Sequence, residues 1–430
     1  MPSALADAKV AAAPSALRAV LASPLYRGAT IALFLSGLGI SAAAPQITLF
    51  LVDDLHTSLT TAGLYYLTNI TAPLAGYLIG TRSDRTGKRL GLFRICAVAA
   101  FLGWTAMAFS TQVWMPFVIS AVVLAFSGAA GSQLFAAIHD SLQDTAGDAG
   151  DTGDAGDTGD AGDGIVSVIR MALTAGWIIG PVLGSLLAAT AGPRVMLACT
   201  GICALAQIVP MGFARTPEPG NAPTTTTSTT APASPREHHQ RPGLSAMLPL
   251  LAFTGLYICV YAGEPIKYGY LTIYMRTDMH IGTAVSGAVI AIQPLIELIL
   301  MPVAVLTARR IGMMRLMVLG AGCGVGANLC FALTGDTIGM FAGQILMGCV
   351  WGVFAALGII VAQRLLPEAV ATASAIFMSS PALASAMGGV TGGIGVDLLG
   401  LPHVFLAPAV YGVIATIGFT VMSRSRHTVR

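Results

Sequence analysis

Mostly apolar runs of about twenty residues recur along this chain, divided by short polar breaks. They fall at roughly 28–52, 59–81, 92–110, 114–136, 165–190, 194–213, 246–274, 282–308, 313–334, 337–362, 371–397 and 403–423. A helix that crosses the hydrocarbon core of a bilayer needs about 20 predominantly apolar residues, so each run predicts one span. Barrel strands are the other structure that satisfies its backbone groups in lipid, but they read as short alternating segments, and these runs are long and apolar all round. The predicted class is an all-α membrane protein of about twelve transmembrane helices in two six-helix halves.

The polar segments set the domain plan: a tail at 1–27, a first half at 28–213, a linker at 214–245, a second half at 246–423 and a tail at 424–430. Within the first half, 143–164 repeats Asp and Gly, with no apolar residue larger than Ala in its core, and is expected to be a disordered loop. Its glycines recur every third position as in collagen, but proline is absent, and no calcium-loop spacing is present. The linker is rich in Pro and Thr, and its adjacent His238 and His239 do not make a metal site. Met1 to Ala22 lacks the charged start, compact apolar stretch and cleavage site of a signal peptide.

Charge orients the spans. Of 22 Lys and Arg, only Arg194 and Arg276 fall on one side, Arg170 and Lys267 lie within or at the edge of helices, and the rest collect on the other. Basic residues concentrate in cytoplasmic loops, so a multi-pass protein of the inner (plasma) membrane with both termini cytoplasmic is expected.

Composition agrees. The 430 residues are 55% hydrophobic and 10% charged, with mean hydropathy +0.77, against about 25% charged for a soluble domain. The 50 glycines suit membrane helices, where small residues permit close approach; such packing is expected around Gly37 and along Gly176, Gly180 and Gly184. The seven cysteines, Cys96, Cys199, Cys203, Cys259, Cys323, Cys330 and Cys349, sit in apolar runs and read as small hydrophobes. No Gly-rich phosphate loop is present, which argues against an ATP-driven pump. A membrane-embedded enzyme is a distant alternative: His139 and Asp140 are adjacent, so they point apart on a helix, and no nucleophile motif accompanies them. No cofactor, metal or nucleic acid is expected.

Two motifs carry the resemblance. After the second run stands Gly80-Thr-Arg-Ser-Asp84-Arg85-Thr-Gly87-Lys88-Arg89, and a degenerate counterpart, Arg309-Arg310-Ile-Gly312-Met-Met-Arg315, follows the eighth. The first resembles the loop between helices two and three of the major facilitator superfamily. A carboxylate can lie against a helix N-terminus while basic residues pair across the inner face, so Gly80, Asp84, Arg85, Gly87 and Arg89 read as a conformational latch. In helix five, Gly176-Trp-Ile-Ile-Gly180-Pro181-Val-Leu-Gly184 resembles the Gly-Pro motif of antiporters in that superfamily, which implies export.

A closer resemblance, to the sugar efflux transporters of the superfamily, rests on several stretches. These are Ala44-Pro45-Gln46 through Phe50-Leu51, Gly63-Leu-Tyr-Tyr with Asn69, Ser132-Gln133-Leu134-Phe135-Ala136, Ser167 to Arg170 leading to Trp177, and Glu297. It implies a major facilitator fold, alternating access, and export of sugars or sugar-like glycosides in exchange for protons. A monomer is expected.

Charge inside a membrane helix costs about 2.5 to 3.5 kcal/mol on insertion scales and marks function or a buried pair. Glu264 and Lys267 are three apart on helix seven and can neutralise each other; Pro265 between them suggests a break. Glu297 lacks a local partner and lies roughly 22 Å from the inner loop by helix rise, which makes it the first candidate for proton coupling, with Glu264 second. Arg170 is expected to pair with Asp140 or to contact substrate. Sugar recognition needs amides and aromatic faces in a mostly apolar cavity, for which Gln46, Asn69, Gln133, Trp177, Gln293 and Trp351 are candidates alongside Arg170. Each of these also has a reading as an interhelical hydrogen bond or packing residue. An exporter of drugs or other small amphiphiles is the alternative function.

Overall fold

A computed structural model describes residues 16–149, 155–212 and 244–424. Eleven helices among them are long and apolar enough to cross a membrane: α1 Pro24–Asp54, α3 Arg89–Ala108, α4 Trp114–Leu142, α5 Gly164–Ala191, α6 Pro193–Met211, α7 Ser245–Thr277, α8 Thr283–Ile311, α9 Met313–Leu333, α10 Thr337–Leu365, α11 Thr372–Leu399 and α12 His403–Arg424. The expected second span is α2, built of three consecutive pieces, Leu59–Leu64, a 3-10 stretch at Tyr65–Thr71, and Ala72–Thr86. Its third piece carries Arg82, Asp84 and Arg85, which dilute the apolar signal.

Proline accounts for the breaks in α7 and α1. Pro265 has no N–H to give to the carbonyl four residues back, and α7 is interrupted at Ala262 between Leu244–Tyr261 and Gly263–Thr277. Pro45 does the same in α1, where the helix Pro24–Ala43 gives way to a turn that holds Gln46.

Helices in lipid gain little from hydrophobic burial against one another and associate by close packing. Along α5, a Cβ on Gly176 would lie 2.5 Å from the Phe34 carbonyl oxygen, one on Gly180 2.6 Å from that of Leu38, and one on Gly184 2.6 Å from that of Ala42. The backbones of α5 and α1 therefore touch. Gly388 on α11 packs against the backbone of Ala262 in α7, so the same contact recurs in the second half. The outward surfaces carry exposed Ile338, Leu398, Phe109 and Val209, as a chain solvated by lipid tails would.

Among the described residues the largest interfaces between the halves are α2 with α11 and α5 with α8, and α7 also meets α1 and α2. Gly287 of α8 packs on Pro181 and Val182 of α5, and Gly389 and Gly393 of α11 pack on Gly63, Tyr66 and Thr60 of α2. Gly80 to Arg89 lie at the other end of α2. The joining contacts thus gather away from the basic end of the molecule.

One expectation changes. The last helical piece of α4, Ser127–Ala149, runs past Leu142, and the helix that contains α5 begins at Ala155, so helix replaces loop in much of 143–164. The flanking spans supply the nucleated ladder that the Asp and Gly repeat could not start itself. Residues 150–154, most of the 214–245 linker, the first fifteen residues and 425–430 lie outside the described residues.

Candidate functional site

After its break, α7 restarts at Gly263 and presents Glu264 and Lys267 on one face, one turn apart. The Lys267 ammonium donates to both Glu264 carboxylate oxygens, at 2.8 Å each, and to Oε1 of Gln293 on α8. Trp351 of α10 donates its indole N–H to Glu264 Oε1 at 2.7 Å. Lys267 is 0% exposed and Glu264 8%. An isolated buried charge costs several kcal/mol, whereas here all three ammonium donors are used and the carboxylate has three bonds.

Aromatic rings enclose this cluster. The ammonium stands 4.3 Å from the Tyr268 ring centroid, Tyr261 meets the Trp351 ring edge-on at 4.9 Å, and Tyr268 lies 6.4 Å from Trp177 across the boundary between the halves. Glu297 sits one turn further along α8 from Gln293, half-buried, where it feels the charges of Glu264 and Lys267. Among the described residues no hydrogen bond or ion pair to its carboxylate is seen.

The other candidates go elsewhere. Gln46 donates to Ser185 at 3.1 Å and ties α1 to α5. Asn69 donates to Ser385 at 2.8 Å and ties the two halves together. Gln133 accepts from Ser83 at 2.5 Å, near the basic end of α2 and α4. Arg170 lies 5.5 Å from the Phe135 ring centroid and does not pair with Asp140; Asp140 bonds Arg89 Nε at 3.0 Å, because α3 starts beside α4 at this end. Of the expected substrate residues, Gln293, Trp351 and, through Tyr268, Trp177 come together, while Gln46, Asn69, Gln133 and Arg170 do not join them.

At the basic end, Gly87 closes α2 in the left-handed region, φ +65°, with its N–H on the Ser83 carbonyl. A residue with a Cβ resists that conformation, which explains the glycine. The turn brings Arg89 back onto Asp84 at 2.6 Å, Ser83 at 2.9 Å and Asp140. Asp84 therefore meets the side chain of the first residue of α3 rather than its N-terminal amides. Arg85 sits in the last turn of α2, and a Cβ on Gly80 would touch nothing within 4 Å.

At the opposite end Arg276 of α7 forms a two-bond ion pair with Asp53 of α1, and Arg194 pairs with Asp54 at 3.2 Å. The first pair crosses between the halves, as does the bond from the Tyr270 hydroxyl to the Leu59 carbonyl, 3.1 Å. Sequence reasoning missed this lock, although Arg194 and Arg276 were the two isolated basic residues on that side. It also passed over Tyr268, whose signal was its place directly after a buried lysine.

A cavity of about 20 Å³ between α1, α3, α4 and α6, lined by Ser36, Trp104, Ser127, Thr200 and Gln207, has room for a water molecule and not for a sugar ring.

The model of the Major Facilitator Superfamily matches residues 29–388. A protein of Deinococcus radiodurans named for sugar efflux is 26% identical over 91% of this chain and 96% of its own length. Sugar efflux transporter B of Salmonella typhimurium is 21% identical over 87% of this chain and 90% of its own. Among solved structures, a nucleoside transporter superposes with a TM-score of 0.73 at 16% identity, covering 92% of this chain and 99% of that one. A D-xylose–proton symporter gives 0.64 at 16% identity over 92% and 96%.

Proposed function

Because the chain belongs to the major facilitator superfamily, we propose that it exports sugars or sugar-like glycosides by alternating access in exchange for protons. The observation that carries the reading is the cluster of Glu264, Lys267, Gln293 and Trp351. It sets carboxylate and amide groups for hydroxyls beside indole and phenol faces for the apolar side of a ring. Relatives named for sugar efflux, similar over most of their length, support the substrate class.

In this reading the first half is 28–213, the second is 246–423, and the basic end with both termini faces the cytoplasm of a cell whose inner membrane holds the protein. The contacts that join the halves lie on the far side, so the central site opens toward the basic end, where an exporter loads. Glu297 carries the proton: it is half-buried and unpaired among the described residues, beside a charged cluster. Gly80, Asp84, Arg85, Gly87 and Arg89 latch the alternate state, Gly176, Gly180 and Gly184 set the α1–α5 contact about which helices rock, and Pro181 lies on the α8 side of α5. The number of aromatic rings around the site favours a second reading, export of amphiphilic drugs.

The test is efflux of radiolabelled glycosides from loaded proteoliposomes, with and without an inward proton gradient. Wild type should release sugar faster under the gradient, and Glu297→Gln should lose that acceleration while still folding. Movement of a cationic dye with no movement of sugar would overturn the sugar reading in favour of drug export.

A further inference from the structure

A carboxylate enclosed by aromatic rings is the arrangement that captures an organic cation. Here the cation is part of the chain. The Lys267 ammonium fills the space between Glu264, Gln293 and the Tyr268 ring, bonded to both carboxylate oxygens at 2.8 Å and 4.3 Å from the ring centroid. It is wholly buried, and its own backbone holds it there through the one-turn spacing on α7.

We propose that Lys267 is the charge filter of the transporter: a tethered ammonium that occupies the cation seat and restricts the site to uncharged polyols. With Lys267 in place Glu264 is neutralised, so a free amine gains no uncompensated carboxylate. A sugar hydroxyl still finds acceptors on Glu264 and Gln293, with the Trp351 N–H able to turn from Glu264 to a ring oxygen. Removing the ammonium leaves a buried carboxylate, an amide oxygen and an aromatic face, which together would take a primary amine. The proposal rests on the reading that this cluster is the substrate site, and it names the substrate class as neutral glycosides.

The experiment uses the full-length protein and n-propylammonium, which replaces the atoms that Lys267→Ala deletes. Lys267→Ala should bind it at least tenfold more tightly than wild type and gain thermal stability from it, whereas Glu264→Gln/Lys267→Ala should do neither. In proteoliposomes Lys267→Ala should move a methyl glucoside at least tenfold more slowly than wild type. Equal binding of the cation by wild type and Lys267→Ala, or no binding by Lys267→Ala, overturns the filter. Should Lys267→Ala not fold, wild type alone decides: transport of methyl glucoside should resist competition by its protonated 2-amino counterpart, and equal competition sinks the proposal. A wild type that moves no glycoside while the two variants show the expected cation binding retires the sugar reading and keeps the filter. Glycoside transport with no gain of cation binding in Lys267→Ala does the reverse.

Discussion

Arg89 shows what a planar fork does that a point charge cannot. Its guanidinium reaches Asp84, Ser83 and Asp140 together, and Ser83 passes the connection on to Gln133. Lysine keeps the charge but cannot hold three acceptors in that geometry. Arg89→Lys should therefore fold normally yet slow transport several-fold, read as initial efflux rate normalised to protein inserted. Trp351→Phe keeps the ring and removes the donor to Glu264. Losing one hydrogen bond to a buried charge should lower stability by about 2 kcal/mol, seen as a lower melting temperature in detergent. Unchanged melting would mean that water or another donor takes over the carboxylate.

Glycines that look alike in the sequence behave differently on different helices. Gly180 faces the α1 backbone, where a Cβ would stand 2.6 Å from the Leu38 carbonyl oxygen, while Gly80 faces open space. Gly180→Ala must force α1 and α5 apart, and the yield of folded protein should fall sharply on size-exclusion chromatography. Gly80→Ala should leave the fold intact or steady it by up to about 1 kcal/mol, since alanine is the better helix former. If it nevertheless cuts transport, the cause is a close approach in the alternate state, as the latch reading requires. Full transport by Gly80→Ala would remove this glycine from the latch.

Across the whole molecule, the pair Asp53–Arg276 closes the end opposite the basic loops. Both side chains are partly exposed, 39% and 46%, so the bond contributes little to stability, yet it joins the two halves that the proposed alternating access would separate. Asp53→Asn should leave melting almost unchanged and raise the accessibility to a thiol reagent of a cysteine placed at Leu59 on that face. The exchange Asp53→Arg/Arg276→Asp should restore the wild-type accessibility. If Asp53→Asn leaves the labelling rate unchanged, the pair is incidental to closure.

The sequence by itself determined the class and the succession of spans, because each follows from how a bilayer treats a run of side chains whatever their neighbours do. It also marked the break near Pro265 and the Glu264–Lys267 pair, both of which act within one or two helical turns. The tertiary structure decided which polar residues share a site. Gln133 and Gln293 are both amides within apolar runs, yet one bonds Ser83 at the basic end and the other Lys267 at the centre. Asp140 met Arg89 rather than Arg170 because of how α3 sits beside α4, and Trp177 approached Tyr268 only because two halves distant in sequence pack together. Spacing along a helix fixes which residues share a face; what that face meets depends on helices far away in the chain.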